Sequence, residues 1–312
     1  MYHQLRIVRS ITLLAAIFAA VWMPGLWASD AFNIYDQLYT KGTGSVLLNY
    51  QYIAVNEFHQ GEKKVPAGEI RTQSLYLQLD YAIADRWRVK AGVPFIKKKA
   101  SGSDVHNPLT LDPPRPDIQF IDDGKYRSQF QDFFFGVEYL WINRPVRVEP
   151  FLHVFIPSHD YQFFANSAVA PRLWKVEIGL ELTHLLPFSD WYYTVGGGYT
   201  VSEQALNVNV NHFRFNAEVG YFLTPGFSVN VFGLYKKGKG DSAQKFPPPT
   251  RTTEAWFQHD RTTRHNSANA GIGMDWFFHE NYQLSASAFT TIWGDSVHWV
   301  DIATNLGITR YF

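Results

Sequence analysis

Polar and apolar side chains alternate through this chain in runs longer than the strands of soluble proteins, and no other feature limits its fold as tightly. In residues 74–81, Leu75, Leu77, Leu79 and Tyr81 fall on one face and Ser74, Tyr76, Gln78 and Asp80 on the other. A period of two is the geometry of a pleated strand. The same split sets Trp87, Val89, Ala91, Val93 and Phe95 against Arg86, Arg88, Lys90, Gly92 and Pro94. Twelve runs follow it, near 44–55, 72–83, 86–97, 130–142, 146–156, 174–185, 191–201, 211–223, 227–237, 267–278, 282–293 and 299–312. Soluble strands average about 5–6 residues, whereas a tilted strand crossing a bilayer needs about 9–11.

The links between runs sort into two classes. Tight ones fall at 84–85, 143–145, 187–190, 224–226 and 279–281, each carrying turn-forming Asp, Asn, Pro or Gly. Long ones at 56–71, 98–129, 157–173, 202–210 and 238–266 alternate with them, and only the last link, 294–297, departs by being short. The short turns therefore share one rim, as in an outer-membrane barrel. The expected fold is all-β, a transmembrane antiparallel up-and-down β-barrel of about 12 strands over 44–312, with both termini periplasmic.

Alternation does not say which face meets lipid, so location and charge must decide. Arg6 and Arg9 precede an apolar run of about a dozen residues, broken by Pro24 and Gly25 and followed by small residues, the pattern of a secretory signal. Residues 1–28 are read as a signal peptide cut after Ala28, with Ala31 the alternative because Leu26 is large for its place. Residues 29–43 would then be a periplasmic or lumenal segment. The polar face carries both charge signs, which suits water. It places Asp80, Arg88, Lys90, Asp132, Glu138, Arg147, Glu149, His153, Lys175, Glu177, Glu181, Arg214, Glu218 and Asp275 in the lumen. Gly92, Gly136, Gly179, Gly196, Gly198, Gly220, Gly271 and Gly273 share that face and are expected to leave open volume. Aromatics gather near strand ends as interfacial girdles, Trp87, Trp141, Trp191 and Trp276 toward one rim and Tyr52, Trp174, Tyr199 and Tyr235 toward the other. With 28 basic against 28 acidic residues there is no field to bind nucleic acid, and the absence of cysteine excludes thiolate chemistry and disulfides.

The chain ends in Ile-Thr-Arg-Tyr-Phe, with Leu306, Ile308 and Phe312 on one face. This resembles the C-terminal signature of Gram-negative outer-membrane barrels, which implies recognition by the barrel assembly machinery and surroundings of outer-membrane lipid and lipopolysaccharide. Arg310 departs from the usual aromatic, a change costing about 0–1 kcal/mol near the interface. Pro94 and Pro150 lie inside runs and call for bulges or strand ends. Val93-Pro94, then Asp132 with Gly136, then Pro157-Ser158-His159-Asp160 resemble the outer-membrane transporters of the phenol meta-cleavage pathway family. Ser128-Gln129-Phe130-Gln131 stands where that family carries a glycine pair. The resemblance implies a channel for small, often aromatic, compounds.

The expected function is passive uptake of a small-molecule solute, without cofactor or enzymatic activity. A structural or surface-interaction barrel is the main alternative, and a lipid hydrolase the minor one. His265 and Ser267 have hydrolase-like spacing but face the lumen, and Asn281 lies at the opposite rim from them. Asp104, His106, Asp112, Asp117, Asp122 and Asp123 crowd one loop without a metal motif and read as solvated charge. The Pro runs at 113–116 and 247–249 read as rigid surface segments. His153, between Phe151 and Phe155 on the inner face, reads as a hydrogen-bonded structural residue.

Overall fold

A computed structural model describes residues 38–60, 63–239 and 252–312. The signal segment 1–28 with both cleavage positions, most of the 29–43 segment and the prolines at 247–249 lie outside the described residues.

The strands are β1 (Gly44–Gln60), β2 (Lys63–Ala84), β3 (Trp87–Ser101), β4 (Arg127–Phe130), β5 (Phe133–Tyr139), β6 (Arg147–Ile156) and β7 (Lys175–Leu185). They continue with β8 (Trp191–Ser202), β9 (Asn211–Thr224), β10 (Phe227–Lys239), β11 (Asn266–His279), β12 (Tyr282–Asp295) and β13 (Val297–Tyr311). Because β4 and β5 both pair with β3, they are two parts of one wall strand, and the wall has twelve. Sequential strands pair antiparallel, and β13 returns to β1 with Tyr311 opposite Ser45. Closure removes the edge that lipid could not hydrogen-bond. The terminal residue takes part in it: Phe312 N donates to Gly44 O at 3.0 Å, and Gly44 N to Phe312 O at 2.8 Å. A Cβ on Gly44 would sit 2.4 Å from the Asp80 carbonyl oxygen, so the seam accepts no side chain there.

The apolar parity faces outward: Leu77 is 50% exposed, while Glu177, on the other parity, is 2% exposed. Outward rings meet near the short-turn rim, Trp87 with Tyr139 at 4.7 Å and Trp191 with Tyr221 at 4.9 Å. Toward the other rim Tyr199 meets Phe213 at 4.7 Å, and Tyr235 meets Trp293 at 6.3 Å. Arg310 is exposed on this outer parity.

Four local features differ from or refine the sequence reading. The 56–71 segment is not a long loop: β1 and β2 extend as a hairpin to Gln60 and Lys63, past a register shift between Val55 and Glu57. Its charges, which mimic loop composition, pair on the strands, Lys64 with Glu57 at 3.2 Å and Lys99 with Glu69 at 3.1 Å. Val55, Ala67, Ile70 and Ala100 meanwhile form an apolar cluster. The first tight turn is Asp85–Arg86, one residue later than expected, with Arg86 at φ 68°. At Pro94, Val93 and Pro94 lie opposite three residues, Gln131 to Phe133, since Gly92 pairs with Phe134 and Phe95 with Phe130. That extra residue is a bulge, which absorbs the missing proline donor and reverses the parity, so Phe130 and Phe135 both face outward. Pro150 follows the end of the β5–β6 ladder at Glu138 opposite Phe151, where no donor is required.

Candidate channel lumen and its cap

The inner face holds a charged network built around Glu138 on β5. Arg88, on the paired position of β3, donates Nε to Glu138 at 2.9 Å and also bonds it through Nη2. Lys90 Nζ lies 2.6 Å from the same carboxylate and His153 Nε2 3.5 Å, while Glu149 is 3.8 Å from Arg88. Tyr39, from the short stretch before β1, is buried against this network: its hydroxyl donates to Glu149 and, at 3.4 Å, to Glu138, and the Arg88 guanidinium lies 4.6 Å from its ring. Burial pushes the Tyr39 phenol well above its usual pKa against the opposing Arg88 charge, with Glu149 and Glu138 adding to the rise. It remains a neutral donor.

Two cavities occupy the lumen. One of about 320 Å³ near the short-turn rim is lined by Asp80, Arg147, Glu149, Glu181, Glu218 and Asp275 among others. A second of about 570 Å³ is lined by Asp132, His153, Lys175 and Arg214. Gln78 and Lys90 line both, so the two cavities share part of their walls. The acids are held differently in each. In the first, neutral donors serve three of them: Gln78 to Asp80 at 3.0 Å, Gln283 to Asp275 at 2.6 Å and Tyr192 to Glu218 at 2.8 Å. At the second, its lining cations pair with acids, Lys175 with Asp132 at 3.2 Å and Arg214 with Glu177 at 3.0 Å, and the Tyr161 hydroxyl also donates to Asp132. His153 stacks on Phe151 at 4.3 Å and meets Phe134 edge-on at 4.9 Å, whereas Phe155 packs on Phe134.

The inner glycines do not leave empty space, contrary to the sequence reading. A neighbour fills each slot: Tyr76 at Gly92, His153 at Gly136, Phe151 at Gly179, Asn216 at Gly196, Glu177 at Gly198, Tyr192 at Gly220, Phe232 at Gly271 and Asn230 at Gly273. Alternation predicts the glycine's face but not the cross-strand side chain that leans over it. Rings that lie against the wall this way do not project across the lumen.

Residues 102–126, 157–174 and 252–265 fold together as a cap at the other end. Its core is Leu111, Phe163, Phe164, Trp256 and Phe257, and the guanidiniums of Arg115, Arg172 and Arg261 lie 4.7–4.9 Å from its phenylalanine rings. Two single-turn helices, α1 (Glu254–Phe257) and α2 (His259–Thr262), carry the last segment, with Thr253 capping α1. The cap is tied to the wall by Lys98 Nζ to Ala168 O at 2.7 Å, Gln131 to Val169 O at 3.0 Å, and His298 with Asn166 at 3.2 Å.

Asp122 is its polar centre, accepting from Asn166 N at 2.9 Å, Ser167 N at 2.8 Å, Ser167 Oγ at 2.7 Å and His106 Nδ1 at 3.1 Å. Burial raises its pKa, but the hydrogen bonds from His106, Ser167 and Asn166 outweigh that and hold it below the usual value. His106 and Asp122 are thus not solvated loop charge, as the sequence suggested; Asp117 is, at 62% side-chain exposure. Burying Asp122 also needs the Asn166 and Ser167 donors, 44 and 45 positions away, which no loop motif reveals. The nearby His265 directs Nδ1 to the Ser296 carbonyl, away from a hydrolase arrangement with Ser267.

A closed antiparallel barrel with an apolar outer belt and a charged lumen defines a β-barrel membrane protein of outer-membrane type. Residues 57–297 match the family described as "Putative MetA-pathway of phenol degradation", and the chain belongs to that family. In fold it is similar to the crystal structure of an outer membrane channel from Pseudomonas putida F1, with 16% identity, 87% of this chain and 96% of that chain covered, and a TM-score of 0.64. The NanC porin aligns at 8% identity over 86% of this chain and 98% of that one, with a TM-score of 0.49. The β domain of the Bordetella autotransporter BrkA aligns at 13% identity over 86% and 100%, also at 0.49. No curated protein matches the chain in sequence.

Proposed function

We propose that the protein is a passive channel of the bacterial outer membrane for small molecules, aromatic compounds among them. The observation that carries this is the pair of lumenal cavities, about 320 and 570 Å³, that share Gln78 and Lys90 in their walls. The family description adds the aromatic class. On this reading the protein is not an enzyme, and Asp80, Arg88, Lys90, Glu138, Glu149, Glu181, Glu218 and Asp275 set which solutes pass the narrower half.

The same reading takes 1–28 as a cleaved export signal and both termini as periplasmic. Leu306, Ile308 and Phe312 then form the signal for the assembly machinery, which the seam bonds between Phe312 and Gly44 support. Impermeant labelling of single cysteines on intact cells tests orientation: Thr253→Cys should react and Pro225→Cys should not, and the reverse result inverts the barrel. Planar-bilayer conductance of the purified barrel tests function. A second reading, a barrel without transport, draws on the occlusion of both ends, by Tyr39 at one and the cap at the other. A silent barrel that also fails to speed phenol uptake into liposomes would favour it.

A further inference from the structure

Between the cap and the β1–β2 hairpin lies a third cavity, of about 200 Å³, into which His106, His259 and Asp260 all open. One ligand-type atom from each lies within 4.8 Å of the others. His106 is 6% exposed, and its Nδ1 is engaged by the Asp122 carboxylate at 3.1 Å. A carboxylate accepting from Nδ1–H leaves the lone pair on Nε2. That Nε2 is buried with no hydrogen-bond partner. A buried nitrogen acceptor without a donor calls for a ligand.

His259 is prepared in the same way, with Nδ1 2.7 Å from the Trp256 carbonyl oxygen. Its Nε2 then stands 3.2 Å from Asp260 Oδ1. A lone pair and a carboxylate oxygen this close repel unless a proton or a cation lies between them. The spacing is also that of adjacent ligands in a tetrahedral site with bonds of about 2.0–2.1 Å. Imidazoles whose second nitrogen is held by a carboxylate or a carbonyl are the usual form of metal-ligating histidine.

We infer that the cap binds one divalent transition-metal ion through His106, His259 and Asp260, bridging loop 102–126 to helix α2. Two imidazoles and one carboxylate select zinc, copper or nickel over calcium and magnesium, which favour all-oxygen ligands. The His106 and His259 rings stack parallel, 9° apart with centroids 5.3 Å apart, so loading tilts one ring to bring both lone pairs onto one ion. His259 also stacks on Trp256 at 3.9 Å, which gives the tilt a fluorescence signal. The ion joins two of the three cap segments and so favours the closed cap.

The test is calorimetric titration of the detergent-folded protein with Zn²⁺, with Co²⁺ absorption reporting ligand geometry. The expected result is one Zn²⁺ per chain and no heat from Ca²⁺ or Mg²⁺. Binding should be lost in His106→Ala and His259→Ala, weakened about 10–100-fold in Asp122→Asn, and unchanged in His279→Ala at the opposite rim. Heat-modifiable migration shows that each variant is folded; should His106→Ala alter it, Asp260→Asn with normal migration decides instead. Absence of Zn²⁺ binding, or binding that survives His106→Ala and His259→Ala, overturns the inference. Because the titration needs no conductance, its failure is distinct from failure of the channel reading.

Discussion

The two halves of the lumen share one wall but are filled by different physics. Toward the short turns, Asp80, Glu218 and Asp275 are held by neutral donors and face an open cavity, with Tyr39 the main intruder. Toward the long loops, Asp132 and Glu177 are matched by Lys175 and Arg214, and beyond them lies the cap with its apolar core. Glu138 sits between, bound to Arg88 and Lys90. Charge near the short turns is therefore free to act on a passing solute, whereas charge near the long loops mostly stabilises structure.

The largest effect should come from destroying what both halves depend on. Gly44→Val collides with the Asp80 carbonyl at the seam, and deletion of Phe312 removes its two closing bonds. Each should leave little folded, heat-modifiable barrel on a semi-native gel. Breaking the cap alone should separate the halves: Phe164→Ala with Trp256→Ala removes the centre of its core at about 3–5 kcal/mol per aromatic. Hydrogen exchange should rise in 102–126 and 157–174 while the strands stay protected, and single-channel conductance should increase. If the strands lose protection too, cap and wall are one cooperative unit.

Glu138→Gln should cost about 3–5 kcal/mol, since it leaves Lys90 without its charge partner and Arg88 with only the more distant Glu149. Reversal potentials in a salt gradient should shift toward anions, and thermal migration should fall. Glu218→Gln with Asp275→Asn should shift the reversal potential in the same direction at a stability change of about 1 kcal/mol, because neutral donors remain for the new amides. Equal destabilisation by both sets would erase the distinction between acids held by cations and acids held by neutral donors. Arg310→Tyr, on the lipid face and outside both, should change folded yield by no more than about 1 kcal/mol.

Strand number, outward face and closure are local properties, and residues such as Leu75, Leu77 and Leu79 announce them two positions at a time. What escaped the alternation shows where the signal fails. The β1–β2 extension was hidden because Pro66 and Gly68 interrupt the pattern and its charges imitate a loop. The glycine slots were hidden because the filling side chain belongs to an adjacent strand. Parity put Arg88, Lys90 and Glu138 on the inner face, but not their convergence, since that depends on register.

By itself the sequence determined the barrel: a period of two over membrane-length runs, with one polar face, has one solution in lipid, because every backbone group must be paired between strands. Only the tertiary structure decided the contents of that barrel. His106 meets Asp122, His259 and Asp260, and Tyr39 meets Glu149, across 16 to 154 residues of chain. The irregular loops that bring them together carry no period from which such contacts could be read.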